Sequence, residues 1–194
     1  MTQPSTGTTR GPLVFPDPPL SDGVVTLRRF GSGDADAVVK ACSDPETQHW
    51  LDFLPRPYGL DDALTFIGNG RADWESGRAA VFAIGDATTG GLLGAIAVQE
   101  ISEGRPFVGY WVGPWARGRG VATRAARLVG RWAIRGLGLP RLELQAEPGN
   151  IGSLRVAERA GFVREGVLRN YLDGREGRTD CVVFSLVPGD LERE

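Results

Sequence analysis

The sequence predicts an α/β fold built around one mixed, mostly antiparallel β-sheet. Short apolar segments with the two-residue alternation of half-buried strands recur along the chain, and segments with helical spacing separate them. The turn sequences DATTGG at 86–91 and DGREGR at 173–178 connect neighbouring strands as hairpins. Because the chain has neither a repeat nor an internal linker, we expect one domain over residues 20–194. Residues 1–19 are rich in Thr, Pro, Gly and Ser and are predicted to form a flexible arm.

The first half of the domain is predicted to hold a strand, two helices and a hairpin. Val25 and Leu27 alternate as in a strand, Asp34 is a candidate helix cap, and the Pro-interrupted segment 44–58 favours a loop or short helical turn. The predicted elements are a strand at 24–30, a helix from 34 to 41, an amphipathic helix carrying Leu60, Leu64, Ile67 and Trp74, and strands at 79–84 and 92–99.

The second half is predicted to alternate strands and helices before a closing hairpin. A strand at 106–112 leads into a loop of Gly and Arg and then into a long helix, which ends at Gly136–Gly138 before Pro140. The apolar stripe of this helix comprises Val121, Ala125, Leu128, Trp132 and Leu137. The remaining elements are a strand at 141–146, a helix at 151–160 closed by Gly161, and strands at 162–172 and 181–186.

Composition narrows the class of protein. Of the 194 residues, 41% are hydrophobic and 24% are charged, which is typical of a globular domain. No apolar run approaches the roughly 20 residues of a membrane span, and the first residues lack a secretion signal. We therefore expect a cytoplasmic protein with no membrane segment. Cys42 and Cys181 have no metal-ligand or redox spacing, which predicts two isolated buried thiols and no metal site.

The net charge of −2 conceals an asymmetry along the chain. Residues 105–178 hold 14 arginines against 6 acidic residues, a net charge of +8, so the remainder carries −10. The basic segment favours an anionic partner, whereas the whole chain is too acidic for a general nucleic-acid binder.

The segment 108–123, VGYWVGPWARGRGVAT, carries the clearest functional pattern. A strand ends in it, a tight loop follows, and a helix begins near Val121. Glycines leave the loop backbone uncovered, so a bulky ligand can approach N–H groups at a helix N-terminus, where unpaired donors and the helix dipole favour an anion. The loop is neither a Walker motif nor GxGxxG. Taken alone, it also fits an ordinary strand-to-helix turn on a basic surface.

Several ordered blocks add to this motif. They are GYWV at 109–112, RGRGVAT at 117–123, N-x-x-S at 150–153, RAGFVREGVLR at 159–169 and DGREGRTDCVVFSL at 173–186. With these blocks, which cover most of residues 22–190, the chain resembles the GNAT acyltransferase superfamily and its RimJ/RimL-like branch of N-terminal and small-amine acetyltransferases. The resemblance implies a bacterial N-acetyltransferase with about four helices around the sheet and two splayed central strands.

The resemblance also implies that an acyl-CoA lies between the splayed strands. The backbone of Trp111 and Val112 would contact the pantetheine arm, and Asn150 would hydrogen-bond it. The family pattern Arg/Gln-x-x-Gly-x-Gly/Ala falls on Arg117, Gly120 and Ala122. The amides of the whole loop would surround the pyrophosphate, namely those of Arg117, Gly118, Arg119, Gly120, Val121, Ala122 and Thr123. The co-substrate is thus acetyl-CoA or another acyl-CoA, such as succinyl-CoA.

Ser153 is the candidate acid of the reaction. A neutral hydroxyl can give a proton or a hydrogen bond to the departing CoA thiolate. Asn150 and Ser153 also suit a helix start, and the structural and functional roles can coexist. Many relatives carry a tyrosine acid four positions after Ser153, where this chain has Ala157.

The base and the acceptor pocket are less marked in the sequence. Relatives often place a Glu just before the GYWV segment, where this chain has Phe107 and Val108, so Glu100 is the candidate base. Glu103 and His49 are alternatives. His49 and Trp50 fall in the region that forms the acceptor pocket in relatives. The resemblance implies direct attack by a primary amine, which belongs to a protein N-terminus, an aminoglycoside, a polyamine or an amino-acid-like metabolite; it also suggests a homodimer.

Two other functions compete with this reading. One is a regulatory protein that binds acyl-CoA without catalysis. The other is a module that binds nucleic acid or an acidic partner through Arg124, Arg127, Arg131 and Arg135, which share one face of the long helix. No aromatic residues interleave with these arginines, so a solvated helix face is the favoured interpretation.

Overall fold

Eight strands form one sheet in the order β1-β2-β3-β4-β5-β6-β8-β7. The computed structural model describes residues 11–175 and 177–192. Every neighbouring pair is antiparallel except β5 and β6, which run parallel. The predicted mixed, mostly antiparallel α/β sheet is therefore confirmed. The strands are β1 (Leu20–Ser21), β2 (Val25–Arg28), β3 (Ala80–Asp86), β4 (Leu92–Gln99), β5 (Phe107–Val112), β6 (Leu142–Ala146), β7 (Val163–Gly174) and β8 (Gly177–Leu186).

Five α-helices accompany the sheet over the described residues, against about four expected. They are α1 (Ala35–Cys42), α2 (Pro45–Trp50), α3 (Leu60–Ser76), α4 (Val121–Arg131) and α5 (Ile151–Arg159). The additional helix is α2, which lies in the segment expected to be a loop or short helical turn. It forms because the Asp44 side chain accepts a hydrogen bond from the Thr47 N–H at 3.0 Å, and because Pro45 suits the first helical position.

Two predictions about helix faces and caps were correct only in part. Trp74 of α3 is buried as predicted, but Leu60 and Leu64 are exposed, and the buried face of the helix also includes Ala63 and Gly70. Gly70 is small enough to let α3 approach Val81 of β3 closely. Asp34 occupies the N-cap position of α1, as predicted, but its side chain makes no capping hydrogen bond to that helix. Its carboxylate instead accepts from the Gly31 N–H at 2.8 Å and pairs with Arg28, so it closes the turn before the helix.

The sheet carries a hydrophobic core on each face. The larger core packs α4 and α5 against residues such as Phe82, Leu144 and Phe184. The smaller core joins α1 and α3 to the other face through residues that include Trp111. Cys42 and Cys181 are buried free thiols, as predicted.

Part of the predicted arm contacts the larger core. Residues 1–10 lie outside the described residues. The Leu13 N–H donates to the Trp74 carbonyl at 2.9 Å, and the Phe15 ring lies 5.0 Å from the Trp74 ring and 5.4 Å from the Phe82 ring, centroid to centroid. The domain boundary at residue 19 stays a prediction.

The central parallel pair opens after two residues. β5 and β6 pair at Phe107–Glu143 and at Val108–Leu144, although β5 continues to Val112 and β6 to Ala146. Beyond that point β5 stays paired with β4, and β6 stays paired with β8. The divergence leaves a gap between the two strands, which confirms the predicted splay, and the candidate site is built around this gap.

Candidate functional site

The loop between β5 and α4 has the conformation of an anion site. Gly118 and Gly120 have φ values of 72° and 74°, which side chains rarely permit, and Gly120 is the N-cap of α4. No heavy atom of the described residues lies within 4 Å of a Cβ built on either glycine, so the space beside the loop is open. The first N–H groups of α4, which begins at Val121, have no acceptor within the helix. Their partial positive charge therefore faces solvent at a helix N-terminus.

The side chain of Arg117 turns from this loop toward α2. Its guanidinium donates to Asp44, to Glu46 at 2.7 Å and to the Thr47 hydroxyl at 2.8 Å. Burial alone would raise the pKa of Asp44, but the hydrogen bonds from Arg117 and Thr47 outweigh it and hold the pKa below its ordinary value. The loop is thus anchored to α2 by a charged network.

The other end of α2 reaches the connection between β6 and α5. The Trp50 ring lies 3.7 Å from a Cβ built on Gly149, and His49 packs edge-on against Trp50 with centroids 4.4 Å apart. His49 is exposed, whereas Trp50 is half-buried. Helix α2 therefore contacts both connections that flank the open end of the gap.

Asn150 and Ser153 start helix α5. The Asn150 side-chain oxygen accepts a hydrogen bond from the Ser153 N–H at 3.0 Å, so Asn150 is the N-cap that its residue type predicts. Ser153 is half-buried in the first turn. Its side chain is thereby held at the edge of the gap, on the same face of the sheet as α4 and α5.

Tyr110 reaches Ser153 across the gap. The Tyr110 hydroxyl donates to Ser153 Oγ at 2.9 Å, and this contact joins β5 to α5 beyond the last β5–β6 pair. Burial raises the pKa of Tyr110, while the hydrogen bond with Ser153 acts in the opposite direction and is the smaller effect. The sequence analysis assigned no catalytic or binding role to Tyr110. Its position two residues after Val108, on the same strand face, was the signal for its placement beside the gap.

A small pocket lies on the opposite face of the sheet. Its volume is about 170 Å³, and it is lined by Glu100, Arg105, Phe107, Glu143, Gln145 and Tyr171. Phe107 and Glu143 are register partners at the paired end of β5 and β6, so the pocket adjoins the start of the gap. The candidate base Glu100 is in this pocket, and the alternative Glu103 is exposed in the next loop.

Two carboxylates converge in the pocket. Glu100 lines the pocket and has a φ of 52°, which is energetically unfavourable for a residue with a Cβ. Glu143 accepts from Arg141 Nε and Gln145 Nε2, both at 3.0 Å. The sequence analysis missed Glu143. Its alternation with buried Leu142 and Leu144 was the available signal, because it puts the carboxylate on the face away from α4.

A family model described as an acetyltransferase (GNAT) domain matches residues 25–163. The chain belongs to the GNAT acetyltransferase family. This GNAT protein is an acyl-CoA-dependent N-acetyltransferase.

Two bacterial relatives of this GNAT enzyme span nearly its whole length. It is 28% identical over 167 residues to uncharacterized N-acetyltransferase p20 of Bacillus licheniformis, covering 84% of this chain and 92% of that one. It is 28% identical over 176 residues to putative ribosomal N-acetyltransferase YdaF of Bacillus subtilis, covering 88% and 94%.

Solved structures agree with the fold of the GNAT family. A putative ribosomal-protein-serine acetyltransferase from Vibrio cholerae is 25% identical with a TM-score of 0.75, covering 90% of this chain and all of that one. Mycobacterium smegmatis RimJ, solved in complex with CoA-disulfide, is similar in fold, with a TM-score of 0.78, 24% identity, and coverage of 95% and 90%. The predicted resemblance to the RimJ/RimL-like branch is confirmed.

The arginine face of α4 in this GNAT enzyme is engaged in contacts within the chain. Arg124 pairs with Asp22 at 2.7 Å, Arg127 donates to the Arg159 carbonyl at the end of α5, and Arg135 donates to the Leu191 carbonyl at 2.9 Å. Arg127, Arg131 and Arg135 are exposed, in agreement with the predicted solvated face. The contacts fasten neighbouring segments to α4 and to the helical turn Trp132–Gly136 that follows it and carries Arg135.

Within the described parts of the chain, no helix is long and apolar enough to cross a membrane. Residues 11–175 and 177–192 contain no group of three or more His, Cys, Asp and Glu residues that could hold a metal ion.

Proposed function

We propose that this enzyme transfers the acetyl group of acetyl-CoA to the α-amino group at the N-terminus of a protein. The observation that carries the proposal is the convergence of Glu100 and Glu143 in a small pocket beside the gap between β5 and β6. The names of two relatives, a ribosomal N-acetyltransferase and a ribosomal-protein-serine acetyltransferase, support a protein acceptor.

The residues on the α4 side fit acetyl-CoA. The amides of Arg117, Gly118, Arg119, Gly120, Val121, Ala122 and Thr123 would hold the pyrophosphate, because an open, glycine-lined helix N-terminus favours such an anion. The backbone of Trp111 and Val112 and the side chain of Asn150 would hold the pantetheine arm along the gap. When bound, acetyl-CoA supplies an activated thioester; another acyl-CoA is the alternative donor.

Ser153 would act as the acid. It lies at the edge of the gap, and its hydroxyl can donate a proton to sulfur as the C–S bond breaks. Its contacts with Asn150 and Tyr110 fix its position, which supports a role that depends on orientation.

The pocket of Glu100 and Glu143 would receive the amine from the other face. Protein N-termini arrive largely as ammonium groups, which carboxylates attract, and the amine must be neutral to attack. Glu143, held by Arg141 and Gln145, would anchor the ammonium group, and Glu100 would take its proton directly or through water. Arg105 at the same pocket can pair with a peptide carbonyl.

The pocket size favours a small first residue. A volume of about 170 Å³ is below the roughly 300–1,000 Å³ of typical small-molecule sites. It suits an amino group with a serine- or alanine-sized side chain. We further propose that His49 and Trp50 contact the acceptor near the mouth of the gap, since α2 lies there. A cytoplasmic location and a homodimer are also proposed.

A peptide panel tests this function. Purified enzyme and acetyl-CoA are incubated with peptides that differ only in the first residue (Ser, Ala, Leu, Trp), with matched N-formylated peptides, and with spermidine and an aminoglycoside. Mass spectrometry is expected to find one acetyl group on the Ser and Ala peptides and none on the N-formylated ones. Acetylation restricted to the polyamine or the aminoglycoside would contradict the proposal, as would acetyl-CoA binding without turnover of any acceptor.

A further inference from the structure

Ser153 is held by two neighbours that do not use its hydroxyl hydrogen. Its backbone N–H donates to Asn150, and its Oγ accepts from the Tyr110 hydroxyl at 2.9 Å. A serine hydroxyl has one hydrogen and two acceptor positions. Because Tyr110 donates, it occupies an acceptor position of Ser153 Oγ and leaves the serine hydrogen for a third group.

We propose that Tyr110 is a positioning residue that aims the Ser153 hydroxyl hydrogen into the gap, toward the sulfur of the departing CoA. The inference rests on the proposed role of Ser153 as the acid. It goes beyond that role because it assigns the orientation of the acid to a hydroxyl from the opposite strand, β5. Tyr110 itself is not expected to contact the reacting atoms.

The proton balance keeps Tyr110 protonated throughout. A bond forms between the amine nitrogen and the thioester carbonyl carbon, and the C–S bond breaks with its electron pair going to sulfur. Ser153 Oγ gives its proton to sulfur and takes a replacement proton from solvent in the same step, because a serine alkoxide left behind would be more basic than the thiolate and would take the proton back. The proton lost by the amine passes through Glu100 to solvent. As negative charge develops on Ser153 Oγ, the hydrogen bond from Tyr110 strengthens, because donors to an ionised oxygen bind more tightly.

The surroundings of Tyr110 keep its hydroxyl protonated, so it remains a hydrogen-bond donor to Ser153. Tyr110 packs against the larger core, and burial raises the pKa of its hydroxyl, which is already near 10 in water. The phenol therefore keeps its hydrogen over the range in which an amine acceptor reacts, and the contact at 2.9 Å directs that hydrogen to Ser153 Oγ. A tyrosine hydroxyl exposed to water would exchange hydrogen-bond partners and would not hold the Ser153 hydroxyl in one orientation.

The test is a double-mutant cycle of Tyr110→Phe and Ser153→Ala, read as the single-turnover rate of acetyl transfer and as the Kd for acetyl-CoA. Ser153→Ala is expected to slow transfer about 100-fold, and Tyr110→Phe about tenfold, with the Kd changed less than about twofold in both. Adding Tyr110→Phe to Ser153→Ala should cause no further loss, because the hydroxyl it orients is gone. The matched control is Tyr58→Phe, which removes the hydroxyl of a tyrosine buried in the smaller core and should leave the rate unchanged.

The outcomes separate the two proposals. A wild-type rate for Tyr110→Phe, a tenfold loss that persists in the Ser153→Ala background, or a loss confined to acetyl-CoA affinity would each overturn the role of Tyr110. A wild-type rate for Ser153→Ala would instead remove Ser153 as the acid, whatever the result for Tyr110. Thermal melting of each variant confirms that the compared proteins are folded.

Discussion

The two faces of the gap between β5 and β6 present different chemical groups to their proposed substrates. On the α4 side, the features that suit acetyl-CoA are backbone features, namely the positive φ of Gly118 and Gly120 and the free N–H groups of a helix start. On the other side, the features that suit an amine are long side chains, chiefly those of Glu100, which directly follows β4, and of Glu143 on β6; both residues line one pocket.

This difference indicates how the two substrates are expected to be selected. A backbone cradle recognises a phosphate group whatever the nearby side chains are, so it suits a donor shared by a whole family. Side chains such as Glu100 and Arg105 can be exchanged without altering the strands, so the acceptor pocket can vary while the fold stays the same. A substitution should therefore damage the donor side through conformation and the acceptor side through chemistry.

The largest effect is expected from Gly120→Val. Gly120 has a φ of 74°, which a β-branched residue tolerates poorly, and the added side chain would project into the open space beside the amides. We expect the Kd for acetyl-CoA to rise at least about 100-fold, equivalent to about 2.7 kcal/mol, as measured by calorimetry.

Gly138→Val is the matched control for Gly120→Val. Gly138 has a φ of 67° and equally open surroundings, but it lies after the far end of α4. In a thermal melt, the Gly138→Val variant should be destabilised to the same extent as Gly120→Val, but it should keep wild-type affinity for acetyl-CoA. Unchanged affinity in Gly120→Val would remove the loop as the donor site.

The conformation of the proposed donor side could be predicted from the sequence because its determinants are local. Gly118, Gly120 and the start of α4 lie within a few residues, so a short motif contains both the turn and the helix N-terminus that make the site. The N-cap role of Asn150 was predictable for the same reason. By contrast, the apolar face of α3 was misassigned in part. Trp74 is buried as predicted, but Leu60 and Leu64, which share its helical spacing, are exposed, because the packing on α1 and β3 uses the small residues Ala63 and Gly70.

On the acceptor side, a large but smaller effect is expected from Glu100→Gln. If Glu100 takes the amine proton, its amide replacement should lower kcat/KM for a Ser-initiated peptide about 50-fold, while the Kd for acetyl-CoA stays the same. Glu103→Gln is the control. Glu103 was the alternative carboxylate base considered from the sequence, and it is exposed and does not line the pocket. Equal losses in both variants would argue for a general charge effect rather than a base.

The acceptor side could not be predicted in full because it depends on register. Glu143 reaches the pocket only because β6 runs parallel to β5 with Glu143 opposite Phe107. Alternation places Glu143 on the correct face, but sequence spacing alone does not reveal its strand partner. The contact between Tyr110 and Ser153 is similar, since it joins a strand to a helix that begins only after α4 and β6.

A smaller effect is expected from Glu143→Gln. This change keeps the shape and the contact with Gln145 but removes the charge that would anchor an ammonium group. We expect KM for the peptide to rise about tenfold, or about 1.4 kcal/mol, with little change in kcat. Glu165→Gln is the matched control because Glu165 also pairs with Arg141, at 2.6 Å, but does not line the pocket. A KM effect of the same size in Glu165→Gln would show that the pairing with Arg141, and not the pocket charge, is responsible.

The smallest effect is expected where the two sides meet, at Arg117→Ala. The Arg117 backbone belongs to the donor loop, while its side chain binds Asp44, Glu46 and Thr47 of the segment that carries His49 and Trp50. Because the ion pair between Arg117 and Asp44 is partly exposed, we expect Arg117→Ala to lower the free energy of unfolding at pH 7 by about 1 kcal/mol. The control Arg71→Ala, which removes an exposed ion pair, should lower it by at most about 0.5 kcal/mol.

The pH dependence follows from Asp44. The folded pKa of Asp44 lies below its ordinary value of 3.8, so the stabilisation by the ion pair is complete above that value and is lost as the pH falls through the lower, folded pKa. Denaturant unfolding of the wild type and Arg117→Ala should therefore differ at neutral pH and converge in acid; a difference that persists unchanged at low pH would mean that Arg117 stabilises the protein by packing rather than by its charge.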